Sequence, residues 1–428
     1  MKNNYKDIIS VIDIGTTKIC TLIAELKRDE DNEVYFEIKG IGNSESDGME
    51  KGVVCEINKA TNSIRKSISE AEEMAQIPAK NIYIGIAGAH IKSCNINSSI
   101  SLSVNGQPRE ITENDINQVI EEAKRAVGYQ AEFSNLKIIH TIPHYFNRDD
   151  DKGIINPLKM EAHRLEARVH IVLANPININ NIIRCIEISG YKVDFDHIIL
   201  EPIASAYAVL NKDQRELGSV LIDIGGGTTD IAIFYMDSIR FTAVFPYGGH
   251  ELSRRLSEIL CASYNTAEQI KIKDGQATSD NIDDDEEIEV PDITGKGVNL
   301  YNKRTLSLHI QEEMTNLFHY IFNTISQKIH LDSLKAGIYL TGGASQLKSL
   351  DILISKISRM PAIICSPDLT RFKGQVSTLE KPEFSTAVGI FLYLLETRIK
   401  KGIQEESFSY NEDGFWKRTL KFVRSWFV

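Results

Sequence analysis

The sequence predicts an α/β fold built from two duplicated halves, with a small α+β insertion in the first half and an amphipathic helix at the C-terminus. Three observations predict it. IISVIDIGTTKICTLIAEL, from Ile8 to Leu26, and GSVLIDIGGGTTDIAIFYM, from Gly218 to Met236, echo one another. Between them lies a stretch with strands and a helix of its own. The chain then closes on GFWKRTLKFVRSWFV, which crowds aromatic and basic side chains together.

In each echoing segment an apolar, β-branched run ends in Asp-Ile-Gly, a Gly/Thr turn follows, and an alternating apolar run resumes. The period is two on both sides, which makes the element a hairpin. No G-x-x-x-x-G-K-[ST] and no G-x-G-x-x-G occurs, which removes Walker-type NTPases and gives no support to a dinucleotide fold. The insertion is read from Ile84, within IYIGIAGAHI, to about Leu165. In it Asn105-Gly106 marks a turn, and Thr112, with Glu113 to Asp115 in the first turn, starts a helix that runs to about Val127. The extended runs LKIIHTIPHYF and ARVHIVLA follow. INNIIRCIEISGY and PIASAYAVLNK carry apolar residues at three- and four-residue spacing and read as helices.

Beyond the second hairpin, ELSRRLSEILCASY and AEQIKIKDG read as helical. DNIDDDEEIEVPD is a run of like charges and reads as a solvated loop. A long helix from about Leu306 to Lys328 leads into KAGIYLTGGASQLKSLDILISKI, a strand, a glycine turn and a helix. FSTAVGIFLYLLETRIK closes the folded body, and KGIQEESFSYNEDG is polar, uncapped and reads as a tether.

Composition narrows the function. At 428 residues the chain exceeds what one hydrophobic core serves, and its net charge of −11 argues against a broad nucleic-acid-binding face. The cysteines Cys20, Cys55, Cys94, Cys185, Cys261 and Cys365 are scattered, without a CxxC pair or metal-ligand spacing, as expected of reduced thiols in a cytosolic protein. The N-terminal MKNNYKDIISVIDIG lacks a secretory pattern, and no apolar run approaches the ~18 residues of a spanning helix.

The glycine turns carry the chemistry. A phosphate chain is held by backbone N–H groups that only a turn free of side chains brings close. Gly15, Thr16, Thr17 and Lys18 on one side, and Gly225, Gly226, Gly227 and Thr228 on the other, offer amides, hydroxyls and one cation. Asp13 and Asp223 precede these turns and would face the same phosphates, which makes sense with a Mg²⁺ and its waters in between. The third turn, with Gly342 and Gly343, ends a strand where a base or ribose can lie against bare backbone. Glu268 and Lys271 share one helix face, where they either clasp a ribose or base edge or form a surface pair.

The ordered set VIDIGTTK, ILEPIASA, LIDIGGGTTDIA, TAEQIK, LTGGASQL and STAVGI resembles the motifs of the actin and Hsp70 ATPase superfamily. IYIGIAGAHI, IIHTIPHYF, INPLKMEAHRLEARVHIV and the aromatic-basic tail are similar to the bacterial FtsA cell-division family within it. The resemblance covers nearly the whole chain. It implies an actin-like (ribonuclease H-like, duplicated) fold: residues 1–83 with 166–202 and 382–400 as subdomain IA, 84–165 as the inserted subdomain IC, 203–246 with 333–381 as IIA, and 247–332 as IIB. Residues 401–413 would be a linker and 414–428 the amphipathic helix. It also implies ATP as cofactor, held by the three turns with Glu268 and Lys271 at the nucleoside, and Glu201 orienting an attacking water. Turnover in this family is implied to be slow or absent. The chain departs from the family where Gly248-Gly249 is followed by His250-Glu251-Leu252-Ser253-Arg254-Arg255, in place of Asn or Asp and then Thr-x-Asp.

On a helical wheel at 100° per residue, Trp416, Leu420, Val423 and Phe427 cluster within roughly 60°, and Phe415, Phe422 and Trp426 widen that face. Lys417, Arg418, Lys421 and Arg424 fall opposite. This pattern suits the plane of an anionic inner leaflet, each basic residue adding on the order of 1 kcal/mol. The resemblance then implies a peripheral protein at the division site that anchors FtsZ filaments to the cytoplasmic membrane, self-assembles, and meets later division proteins through IC. Two other readings stay open: a PilM-like assembly adaptor, which needs no membrane helix, and an Hsp70-like chaperone ATPase, which needs a substrate-binding β-domain that no segment supplies.

Overall fold

A computed structural model describes residues 8–405, apart from Asn32, Val104, Thr294 and Gly295. The tail residues from Phe415 to Phe427 assigned to the membrane, and the linker beyond Glu405, lie outside the described residues.

The duplication seen in the sequence is a duplication of topology. In the first half, Ile8–Ile14, Lys18–Arg28 and Val34–Glu45 pair as an antiparallel meander, and Ile82–Ile86 and then Ile198–Leu200 add in parallel beside the first strand. In the second half, Ser219–Ile224, Thr229–Tyr235 and Ser238–Phe245 repeat the meander, and Gly337–Thr341 and then Ala362–Ile364 add in parallel. Ile8–Ile14 and Ser219–Ile224 are buried along their whole length, as expected of strands covered by helices on both faces.

Those helices define the layers. Ile57–Ala75 packs on the outer face of the first sheet. Glu201–Val209 and Ser385–Glu405 pack together between the two sheets, in a core that takes in Val11 and Phe36 from the first and Leu221 and Phe234 from the second. A second core lies on the far face of the second sheet, where Leu252, Leu256, Ile310, Phe318 and Ile354 come from the surrounding helices. Burying each such side chain contributes roughly 1.5–3 kcal/mol.

The insertion is a four-stranded antiparallel sheet in the order Asp151–Ile154, Lys137–Arg148, Arg164–Ala174, Ile91–Ser101, with the Glu113–Gly128 helix on one face. Thr112 caps that helix in a reciprocal box with Asp115, which Arg109 grips with both guanidinium nitrogens at 2.7 and 2.6 Å. On its second-half side the sheet meets Ser238–Phe245: Ser93 donates to the Thr242 carbonyl and Asn95 to the Arg240 carbonyl, both at 2.8 Å.

Four expectations need correction. The insertion does not run from 84 to 165, because IYIGI is an inner strand of the first sheet, and Arg164–Ala174 pairs with Ile91–Ser101 along eleven registered positions. An all-apolar run fitted either sheet, and only pairing assigns it. Phe372–Gly374, placed in the second half, adds in parallel to the edge of the first sheet at Phe36–Ile38. The acidic loop is in part a strand: Glu287–Pro291 pairs with Val298–Asn302, burying Ile288 and Val290 while the glutamates face water. Charge hid an alternation of period two. The closing helix continues to Glu405, five residues into the expected linker.

Candidate functional site

The two echoing hairpins meet tip to tip. Each turn is closed the same way: the Gly15 amide donates to the Lys18 carbonyl at 3.0 Å, and the Gly225 amide to the Thr228 carbonyl at 2.9 Å. A Cβ on Gly226 would come within 2.3 Å of the Thr17 methyl, and one on Gly227 within 2.4 Å of Thr16 Oγ1. Only glycine lets the halves approach this closely. The departure from the family pattern sits against the same turn through backbone: the Gly249 amide donates to the Gly225 carbonyl at 2.9 Å and the His250 amide to the Gly226 carbonyl at 2.8 Å. The N-terminus of the Gly249–Leu260 helix is thus pinned to the second turn whatever side chain stands at His250.

Behind the turns four carboxyl groups are buried together: Asp13, Asp223, Asp230 and Glu201. Burial pushes Asp13 up to about 7, with nearby Lys18 opposing and Asp223 adding to the rise. Glu201 is driven well above the usual carboxylate range by burial and then by Asp13, Asp230 and Asp223. Asp230 rises through burial and Asp223, while the Thr228 hydroxyl, donating at 3.1 Å, holds it back. Asp223 rises through burial, and Ser205 and Thr386 oppose this by donating to its Oδ2 at 2.5 and 3.3 Å. Among the described residues, Asp230 Oδ1 is buried and finds no hydrogen-bond partner. Mutually repelling buried carboxylates beside two amide-lined turns fit a divalent cation held through its waters. Among the described residues no three His, Cys, Asp or Glu side chains form a direct metal cage.

The third turn joins the same cleft. Gly342 stands at φ +85, and a Cβ there would lie 2.2 Å from Asp223 Oδ1. Next to it Ala344 faces Gly249. Lys271 donates to the Gly249 carbonyl at 3.0 Å and to Glu268 at 2.8 Å, and Ser253 donates to the same Glu268 carboxylate. Glu268 and Lys271 therefore form an ion pair that ties two helices together at the edge of the cleft. Burial lowers the Lys271 pKa against the pull of Glu268. A cavity of about 250 Å³ opens outward from Thr16, Gly226 and Gly227, walled by Lys51, His250, Arg254 and Tyr264.

The structure thus gathers Asp13 to Lys18, Glu201, Asp223 to Thr228, Gly342 and Gly343, Glu268 and Lys271 along one cleft. Sequence reasoning missed Asp230, Ser205 and Thr386. Ser205 had a signal, a hydroxyl inside the otherwise apolar, buried run of residues 202–206, whereas Asp230 and Thr386 each follow other hydroxyl residues and do not stand out.

A duplicated α/β chain with facing phosphate-type turns and a third glycine turn between its halves defines an actin-like protein. Its likeness to solved structures is one of fold: the chain matches the PilM–PilN type IV pilus biogenesis complex at TM-score 0.60 and 14% identity, covering 90% of this chain and 98% of that one. It matches MreB5 of Spiroplasma citri bound to ADP at TM-score 0.50 and 14% identity, covering 93% and 98%. Family patterns are sharper. That described as "Cell division protein FtsA" matches residues 220–389, and that described as "SHS2 domain inserted in FTSA" matches residues 88–173. Cell division protein FtsA of Pseudomonas aeruginosa is 34% identical over 404 residues, covering 94% of this chain and 93% of that protein. The chain belongs to the FtsA family of cell division proteins.

Proposed function

We propose that this chain is an ATP-binding, membrane-tethered scaffold of cell division. It holds ATP between the three glycine turns, self-assembles, attaches FtsZ filaments to the inner leaflet through residues 414–428, and meets later division proteins through its inserted subdomain. The observation that carries the nucleotide reading is the apposition of Gly15–Thr17 and Gly225–Gly227 in front of buried Asp13, Asp223 and Asp230. Amides and hydroxyls of the turns would bind the phosphates, Lys18 would neutralise part of their charge, and the bare backbone at Gly342 and Gly343 would take the adenosine. Asp13, Asp223 and Asp230 would hold Mg²⁺ through its waters, and the cation would offset phosphate charge. Glu201, at the start of its helix and 3.1 Å from where a Gly85 side chain would begin, is the group that could orient a water. In this reading nucleotide acts as a ligand that favours a closed, assembling state by binding it more tightly than the open one.

The membrane and FtsZ roles rest on the tail's aromatic and basic faces together with the family. Isothermal titration of ATP into the full chain, with and without Mg²⁺, tests the cleft. Saturable binding that needs Mg²⁺ and weakens by about tenfold or more in Asp223→Asn supports the reading. Absence of binding at millimolar ATP overturns it.

A further inference from the structure

Lys18, the only cation within the first glycine turn, is already engaged. Its ammonium donates to the Glu383 main-chain carbonyl at 3.1 Å, lies 3.6 Å from the Glu383 carboxylate, and sits 3.7 Å from the centroid of the Phe384 ring. The Phe384 ring is buried, which fixes one side of this seat. Glu383 belongs to the short turn Pro382–Phe384, which leads into the closing helix and lies against the third glycine turn, where the Gly342 amide donates to the Pro382 carbonyl at 3.3 Å. A Cβ built on Gly343 would lie 3.8 Å from Glu383 Cβ. One residue therefore links both ends of the cleft: it grips the cation of the first turn and borders the open backbone of the third. The ion pair is about one-quarter to one-third exposed, so ligand and solvent can reach it.

We propose that Glu383 is a positioning residue that sets the cleft's selectivity for phosphate number, by holding Lys18 until a polyphosphate displaces it. The inference rests on the nucleotide reading above. A bound polyphosphate must win the ammonium from the carboxylate. That competition grows with ligand charge: adenosine does not meet it, ADP meets part, and ATP most. Neutralising Glu383 should accordingly tighten polyphosphates alone. Because the pair is partly solvated, the gain is small, about three- to fivefold for ATP.

Titration of the full chain with adenosine, ADP and ATP, each with Mg²⁺, tests this across wild type, Glu383→Gln, Lys18→Met and the double variant. Glu383→Gln should bind ATP about three- to fivefold tighter, gain less for ADP and leave adenosine unchanged; in the Lys18→Met background its gain should vanish. A merely structural role for Glu383 would shift all three ligands together, and that result overturns the inference. So does an ATP gain that persists without Lys18, which would mean repulsion alone, or an ATP affinity in Glu383→Gln equal to or below wild type. If wild type binds no ATP, the nucleotide reading itself has failed and this inference falls with it. Wild-type binding with an unaltered Glu383→Gln isolates failure of the inference alone.

Discussion

Replacing Asp13 by Asn should stabilise the ligand-free protein while removing its hold on nucleotide. Asp13 is buried, and its carboxyl is raised from an ordinary 3.8 to about 7, burial being the main cause. A folded-state pKa above the unfolded one means that stability is fully present below about pH 4 and is lost as pH rises through about 7. At roughly 1.4 kcal/mol per unit, burying the ionisable group costs the fold up to about 4 kcal/mol at pH 8 and well under half of that at pH 5. Asn carries no such cost and fits the same space. Urea denaturation without Mg²⁺ or nucleotide should show Asp13→Asn more stable than wild type, with an advantage that widens from pH 5 to pH 8. Titration should show ATP binding weakened in the same variant. An advantage that is absent at pH 8, or larger at pH 5 than at pH 8, would refute the reasoning that this carboxylate is kept for a ligand at the expense of the fold.

Other sites give further tests. Arg215 is almost fully buried and bonds Asp237 at 2.8 Å, the Leu210 carbonyl at 3.0 Å and both oxygens of Glu396 at 3.0 and 3.1 Å. Arg215→Met removes all four of these bonds and should cost about 3 kcal/mol in urea denaturation, with Lys recovering only part. Gly342→Ala places a Cβ 2.2 Å from Asp223 Oδ1 at φ +85, so stability should fall by about 1–3 kcal/mol and ATP affinity should fall with it. Thr112→Ala removes the cap of the inserted subdomain's helix and should cost about 1 kcal/mol, seen as faster amide exchange in Glu113–Gly128.

Much of the fold was legible because the strongest local signals agreed with the global arrangement. The Asp-Ile-Gly hairpins are bounded by apolar runs of period two on both sides, and they pair as that period requires. The three glycine turns were readable because no other residue type brings so many amides together, and all three line one cleft. Legibility failed where two packings suit the same residues. IYIGI fits any buried strand, so it was cut from the first sheet, and Phe372–Gly374 is too short to announce its partner. In Glu287–Pro291 the glutamates drew attention from Ile288 and Val290, which alternate with them and are buried. Within the site, Asp230 and Ser205 were hidden inside quoted motifs, because their roles follow from which neighbour they face across the cleft. Glu383 carried no sequence signal, since its contact with Lys18 spans nearly the whole chain.

In the proposed reading the cleft and the tail belong to one device, an ATP-binding body tied to a membrane. Its most direct test is co-sedimentation with anionic liposomes of the intact chain, a truncation ending at Asp413 and Trp416→Glu, each with and without FtsZ and ATP. Only the intact chain should pellet, and it should carry FtsZ down with it. A truncation that pellets equally well, or FtsZ left in the supernatant, would contradict a membrane-tethering role for residues 414–428.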